Sequence, residues 1–229
     1  LKIGDTATVT LQFSEAVTNF SSNADITAQN GTLTEMTSTN GEITWTGIFT
    51  PTANVEDASN ELTLSTNYTD LAGNSGPSAT ATPAYAIDTK APVINVSNVV
   101  SNINDGLTAL GSVSANEPVV WSISAGTGVS ISSTGVLTLN TVADFQTTQS
   151  YTFTVKAVDD VGIFTTQALS VNVHDITGPS INTTSVVTTI NDGLTALGSV
   201  SANETVTWSI IAGTGVSISS TGVLTLNTV

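Results

Sequence analysis

Eighteen acidic side chains face only three basic ones, Lys2, Lys90 and Lys156, so the chemistry open to this 229-residue chain is mostly that of carboxylate oxygen. Between residues 89 and 175 the acids are Asp105, Glu117, Asp144, Asp159, Asp160 and Asp175, and each falls at the end of a short alternating segment. Paired carboxylates can act as acid and base on a glycosidic bond. Gathered in larger numbers, they can hold a hard divalent cation. Repetition favours the second use, because Asp105 and Glu117 recur as Asp192 and Glu204. A structural site is copied with its module, whereas a catalytic cleft is usually not. Zinc is disfavoured by the absence of Cys and the single His174, and that histidine has no paired nucleophile with which to form a dyad.

The elements that position these acids follow from an internal repeat. Residues 103–142 recur as 190–229 with changes only at Pro118/Thr205, Val120/Thr207 and Ser124/Ile211, a repeat distance of 87 residues. Asp88, Pro92 and Ile94 fall on Asp175, Pro179 and Ile181 at the same spacing. Within the unit, residues 93–100, 107–115, 119–124, 129–133, 136–140, 151–158 and 164–173 alternate apolar with Thr, Ser or Asn. Seven such segments in under 90 residues predict a β-sandwich. Asp105-Gly106, Gly126-Thr127-Gly128 and Thr134-Gly135 supply the positive φ that tight connections require. Residues 7–13, 31–37, 42–49 and 61–68 show the same alternation, with Asn30-Gly31 and Asn40-Gly41 read as hairpin turns.

The expected organisation is therefore all-β: tandem immunoglobulin-like, cadherin-like, seven-stranded Greek-key sandwiches at 1–88, 89–175 and 176–229. The last unit has no counterparts of residues 151–158 and 164–173, so it is read as truncated, with about half its inner face bare. Trp45, Trp121 and Trp208 sit at apolar strand positions and are expected in cores.

Antiparallel succession sends strand ends alternately to two poles. Asp105, Asp144 and Asp175 should share the pole facing the next unit, and Glu117 and Asp159 the pole facing the preceding unit, beside Asp88. In the first unit Asp5 and the Glu56-Asp57 pair should face the following joint, and Glu15 and Asp70 the opposite end. Two carboxylates about 5 Å apart repel by roughly 3 kcal/mol at an effective dielectric near 20. Too few cations are present to neutralise a joint, and a calcium ion, taking oxygen ligands in flexible geometry, answers the need. It would also stiffen a chain that has no disulfides. Asp160, Asp25, Glu35, Glu42 and Glu61 are read as solubilising charges.

A formal charge of −15 repels nucleic acid and anionic lipid, so neither is expected as a partner. No apolar run is long enough to span a bilayer.

At these same residues the complete unit resembles a cadherin repeat of the bacterial kind. Asp105 stands at the family's early acidic ligand, and Ala115-Asn116-Glu117 resembles its Ala-x-Asp element. Gly135-Val136-Leu137 precedes Ala143-Asp144-Phe145-Gln146. The segment from Tyr151 to Asp159 resembles the Tyr-x-Leu-x-Val-x-Ala-x-Asp strand, and Leu169 to Asp175 with Pro179 resembles the last strand and linker. The resemblance implies interdomain calcium ligands at these positions. Gln146 stands where the family has Glu, and the Asp175 linker lacks further acids, so the second joint should bind fewer ions or bind them more weakly. Phe13-Ser14-Glu15, the Tyr68 to Asn74 loop and Ile87-Asp88 resemble bacterial immunoglobulin-like repeats of large surface adhesins.

The expected role is a non-catalytic extender of a bacterial surface adhesin, serving adhesion or biofilm formation outside the cell. Its partners would be neighbouring repeats of the same chain, with an unknown surface ligand held by other domains. The alternative is a set of accessory modules in a secreted polysaccharide-degrading enzyme. A third reading, direct ligand or homophilic binding by these modules, would need exposed aromatic patches.

Overall fold

The structure is a computed structural model and describes residues 1–228. β-Branched residues alternating with Thr and Ser produce strands almost throughout, the one α-helix among the described residues being the short Ser22–Asp25 segment. Among the described residues no helix is long and apolar enough to cross a membrane.

The second unit consists of two four-stranded sheets. One runs Ile94–Val99, Ala109–Ala115, Val136–Leu139, Val129–Ile131; the other runs Asn102–Asn104, Phe164–His174, Ser150–Val158, Val120–Ala125. The inward positions form one apolar core in which Leu110, Leu137, Val155 and Val171 are fully buried. Eight strands replace the seven expected. The extra one arises because the opening strand divides: Ile94–Val99 pairs antiparallel with Ala109–Ala115, then Asn102–Asn104 crosses to pair in parallel with Asn172–His174. Alternation is silent about which sheet a strand joins, so the crossing was not legible beforehand.

In the first unit Ala7–Gln12, Thr44–Pro51 and Gly31–Leu33 form one sheet, with Thr37–Ser38 also on Thr44–Pro51. Thr80–Ala81, Leu62–Leu64 and Ile26–Ala28 form another, and Tyr85–Asp88 pairs with Glu56–Asn60. Asn40-Gly41 closes a hairpin as expected, since Ser38 pairs with Trp45 across it. Asn30-Gly31 does not. The strands on either side of it belong to different sheets, so this turn is a crossover. Its glycine answers to packing: a Cβ on Gly31 would lie 2.1 Å from the Phe49 ring.

The third unit forms only the first of the two sheets, Ile181–Val186, Ala196–Ala202, Val223–Leu226 and Val216–Ile218. Residues 205–212 carry no strand, although 118–125 nearly match them in sequence. The difference lies in the partner. Val120–Ala125 hydrogen-bonds to Ser150–Val158, and residues 176–228 contain no equivalent strand. Ile211 is consequently 97% exposed. Trp45 and Trp121 are half-buried against cores, as expected, while Trp208 is half-buried without an opposing sheet.

Candidate functional site: carboxylates at the joints

The first joint is built where Tyr85–Asp88 ends, Ser150–Val158 ends, and the turn after Ala109–Ala115 returns. One carboxylate oxygen each from Asp88, Asp159 and Asp160 lies within 4.8 Å of the other two. Asp88 pairs across its ladder with Glu56, which places a fourth acid at the same pole, and Glu56 accepts from Lys90 Nζ at 3.2 Å. Glu117 completes the group. Burial raises its affinity for a proton, and the nearby charges of Glu56, Asp88 and Asp159 add to this, with Lys90 opposing. Asp160, expected from its sequence position to be only a solubilising charge, stands within this group. Its signal was adjacency to Asp159: a turn can swing consecutive side chains to one point, whereas a strand sends them to opposite faces.

Asp159 is the centre of this arrangement. It is 5% exposed. Its Oδ1 accepts from the backbone N–H of Val161 at 3.0 Å and Ile163 at 2.8 Å, which fixes the turn. Its Oδ2 is buried with no hydrogen-bond partner. A carboxylate oxygen withdrawn from water without a donor is costly. Hard oxygens from three acids, one of them orphaned, suit a hard divalent cation and offer nothing to a soft one.

The second joint gathers a smaller group. Asp105 Oδ1 accepts from Phe145 N at 2.8 Å, and its Oδ2 takes a long 3.5 Å contact from the Thr177 hydroxyl. Asp175 Oδ2 accepts from Gln146 Nε2 at 3.0 Å, and its Oδ1 from Thr177 N at 3.0 Å. Burial would raise the Asp175 pKa, but hydrogen bonds from Thr177, Gln146 and Glu204 outweigh it and hold the group below the usual range. Glu204 moves the other way, pushed up by burial, then by the neighbouring Asp175 and by Asp105. Its Oε1 is buried and unpartnered. Among the described residues only the Asp88, Asp159 and Asp160 group brings three acidic ligand atoms together. Gln146, in place of a carboxylate, spends its amide as a donor to Asp175.

The remaining acids of the sequence reading have local work. Asp144 Oδ1 accepts from Gln146 N at 2.9 Å and shapes the turn beside Asp105. Asp57 accepts from Asn30 Nδ2 and from the N–H and hydroxyl of Ser59, so it braces the sheet crossover. Asp5 accepts from Lys2 N at 3.0 Å. Asp70 accepts from Ala72 N, Asn74 N and Asn74 Nδ2 at 2.7 to 2.8 Å, and the Asn74 amide above all lowers its pKa. It shares a depression with the exposed Glu15 at the far end of the first unit. Asp192, the copy of Asp105, is exposed.

Residues 1–87 match the bacterial Ig-like domain family. The chain is thus an all-β array in which this Ig-like unit is followed by a sandwich of two four-stranded sheets and then by a single four-stranded sheet. It is similar to solved cadherin chains at low identity. Protocadherin gamma B7 extracellular cadherin domains 1–4 shares 15% identity at TM-score 0.46, covering 100% of this chain and 65% of that one. The protocadherin gamma B4 extracellular domain shares 18% at TM-score 0.44, covering 90% and 38%. Mouse cadherin-23 domains EC22–24 share 14% at TM-score 0.44, covering 89% and 75%. No curated protein matches the chain. The acids of the Ig-like unit that reach the joint, Glu56 and Asp88, lie on its last ladder.

The geometry sets a pH dependence. Glu117 binds its proton more tightly in the folded joint than in the unfolded chain, so in chelator, stability should rise as pH falls from neutral through the raised pKa. Substituting Glu117→Gln should flatten that rise in a series of melting curves. Identical pH profiles for the two proteins would show that the acids do not meet in solution.

Proposed function

We propose that the chain is a non-catalytic extender segment of a bacterial surface adhesin, outside the cell, whose successive units at 1–88, 89–175 and 176–229 are stiffened by calcium at their joints. The observation that carries this reading is the orphaned Oδ2 of Asp159 beside Asp88 and Asp160. At the first joint Asp88, Asp159, Asp160, Glu117 and Glu56 would hold the ion. At the second, Asp105, Asp175 and Glu204 would do so, with Gln146 and Asp144 ordering the turn around them. The cation supplies positive charge in place of the basic side chains the chain lacks. Asp88 and Glu56 come from one unit and Asp159 and Glu117 from the next, so occupancy couples their orientations. Near-identical neighbouring units support an extender, because copying lengthens a rod without creating a new surface.

Small-angle X-ray scattering of the whole chain tests this. With millimolar calcium the largest dimension should increase and the pair-distance distribution sharpen; with chelator it should broaden. Superimposable curves would remove calcium from the account of stiffness.

A further inference from the structure

The chain contains two Asn-Gly pairs, Asn30-Gly31 and Asn40-Gly41, and the fold holds them differently. A glycine has no side chain to shield its backbone nitrogen, so after an asparagine that nitrogen can attack the neighbouring carboxamide. Whether it does so depends on what the carboxamide is bonded to.

At Asn30 the carboxamide is committed to the sheet crossover. Its Nδ2 donates to Asp57 Oδ2 at 3.0 Å and to Asn60 Oδ1 at 2.7 Å, and Asn60 is 0% exposed. Turning this amide toward Gly31 would break a charge-assisted bond and strip a buried oxygen of its donor. The Phe49 ring also fills the space over Gly31.

Asn40 is exposed at the tip of the hairpin between Thr37–Ser38 and Thr44–Pro51. Its Oδ1 accepts from Thr44 N at 2.9 Å and from the Ser38 hydroxyl at 3.2 Å. Two donors on one carbonyl oxygen draw electron density from Cγ and stabilise the negative charge that forms on Oδ1 during attack. Its Nδ2 donates to Thr44 Oγ1 at 3.0 Å, and that hydroxyl can turn to donate to the nitrogen as it leaves. Among the described residues Gly41 N donates no hydrogen bond. A Cβ at Gly41 would meet nothing within 4 Å, so a ring closing there has room.

We propose that Asn40-Gly41 is a site of self-modification, at which the side-chain amide is lost as ammonia and a carboxylate takes its place, while the fold protects Asn30-Gly31. The Gly41 nitrogen gives its proton to water and bonds to Asn40 Cγ, and the Cγ–Nδ2 bond breaks with release of ammonia. A water then opens the five-membered imide at either carbonyl, leaving aspartate or β-linked isoaspartate at position 40. Isoaspartate places Cβ in the main chain of a turn on which other parts of the unit hang. Phe13 N donates to Ile43 O at 2.9 Å, and Trp45 Nε1 to Glu42 O at 3.2 Å. Modification therefore adds a charge beside Glu42 and slackens these anchors.

The test incubates the whole chain at mildly alkaline pH and follows both sites by peptide mapping with mass spectrometry, using isoaspartyl methyltransferase labelling to find the β-linked product. In the folded chain Asn40 should convert about tenfold or more faster than Asn30, the factor that one lost charge-assisted hydrogen bond imposes. In concentrated urea, where neither amide is held, the two rates should converge. Equal rates at the two sites in the folded chain would overturn the proposal. So would an Asn40 that stays an amide in the folded chain while it converts in urea, because the bonds to Ser38 and Thr44 would then be holding the carboxamide away from Gly41.

Discussion

Calcium at 10 mM is expected to raise the melting temperature of the chain by on the order of 10 °C, and the pair Asp88→Asn with Asp159→Asn to remove most of that rise. The magnitude follows from linkage. Extracellular calcium modules bind with dissociation constants of about 0.1 to 1 mM, so 10 mM ligand stabilises by roughly 1.4 to 2.7 kcal/mol. One kcal/mol moves the midpoint of a domain of this size by about 4 to 8 °C. Asn is the informative replacement. Its side-chain oxygen can still accept from Val161 and Ile163, so the turn survives, while the amide takes the place of the orphaned Asp159 Oδ2. The double variant should therefore be no less stable than the parent in chelator. A full calcium response in that variant would show the ion binding elsewhere.

The second large effect concerns two leucines in the same local sequence. Leu137→Ala should cost about 2 to 5 kcal/mol, because Leu137 is 0% exposed between two sheets. Leu224→Ala, at the copied position, should cost markedly less, since Leu224 is only half-buried on a sheet with no opposing layer. Calorimetry would resolve the two as a large shift of the second-unit transition and a small one or none. Equal losses would mean that the third unit closes its core in some other way.

The proximity of several carboxylates at the first joint follows from strand order. Strands alternate between two poles, so counting strand ends was enough to bring Asp88, Glu117 and Asp159 together and to place Asp105 with Asp175. Counting failed where a side chain's direction depends on a turn. Asp160 joins the cluster because the turn after Val158 is not extended; Asp57, beside Glu56 on a strand, instead accepts from Asn30 and Ser59. The near-identical segments 118–125 and 205–212 make the limit plain: one is a strand and the other is not, as the partner strand decides.

What the sequence determined alone is periodic and local. Alternation of apolar with Thr and Ser sets strand conformation, the 87-residue repeat sets the modular plan, and the excess of acids over three lysines sets the negative charge at the strand ends. Tertiary structure decided what depends on residues far apart in the chain: the crossing of the opening strand between sheets, the crossover at Asn30-Gly31 with Phe49 packed against its glycine, and the burial that leaves Asp159 Oδ2 without a donor. Pairing and desolvation are properties of neighbours in space, and a period of two residues carries no record of which neighbours those will be.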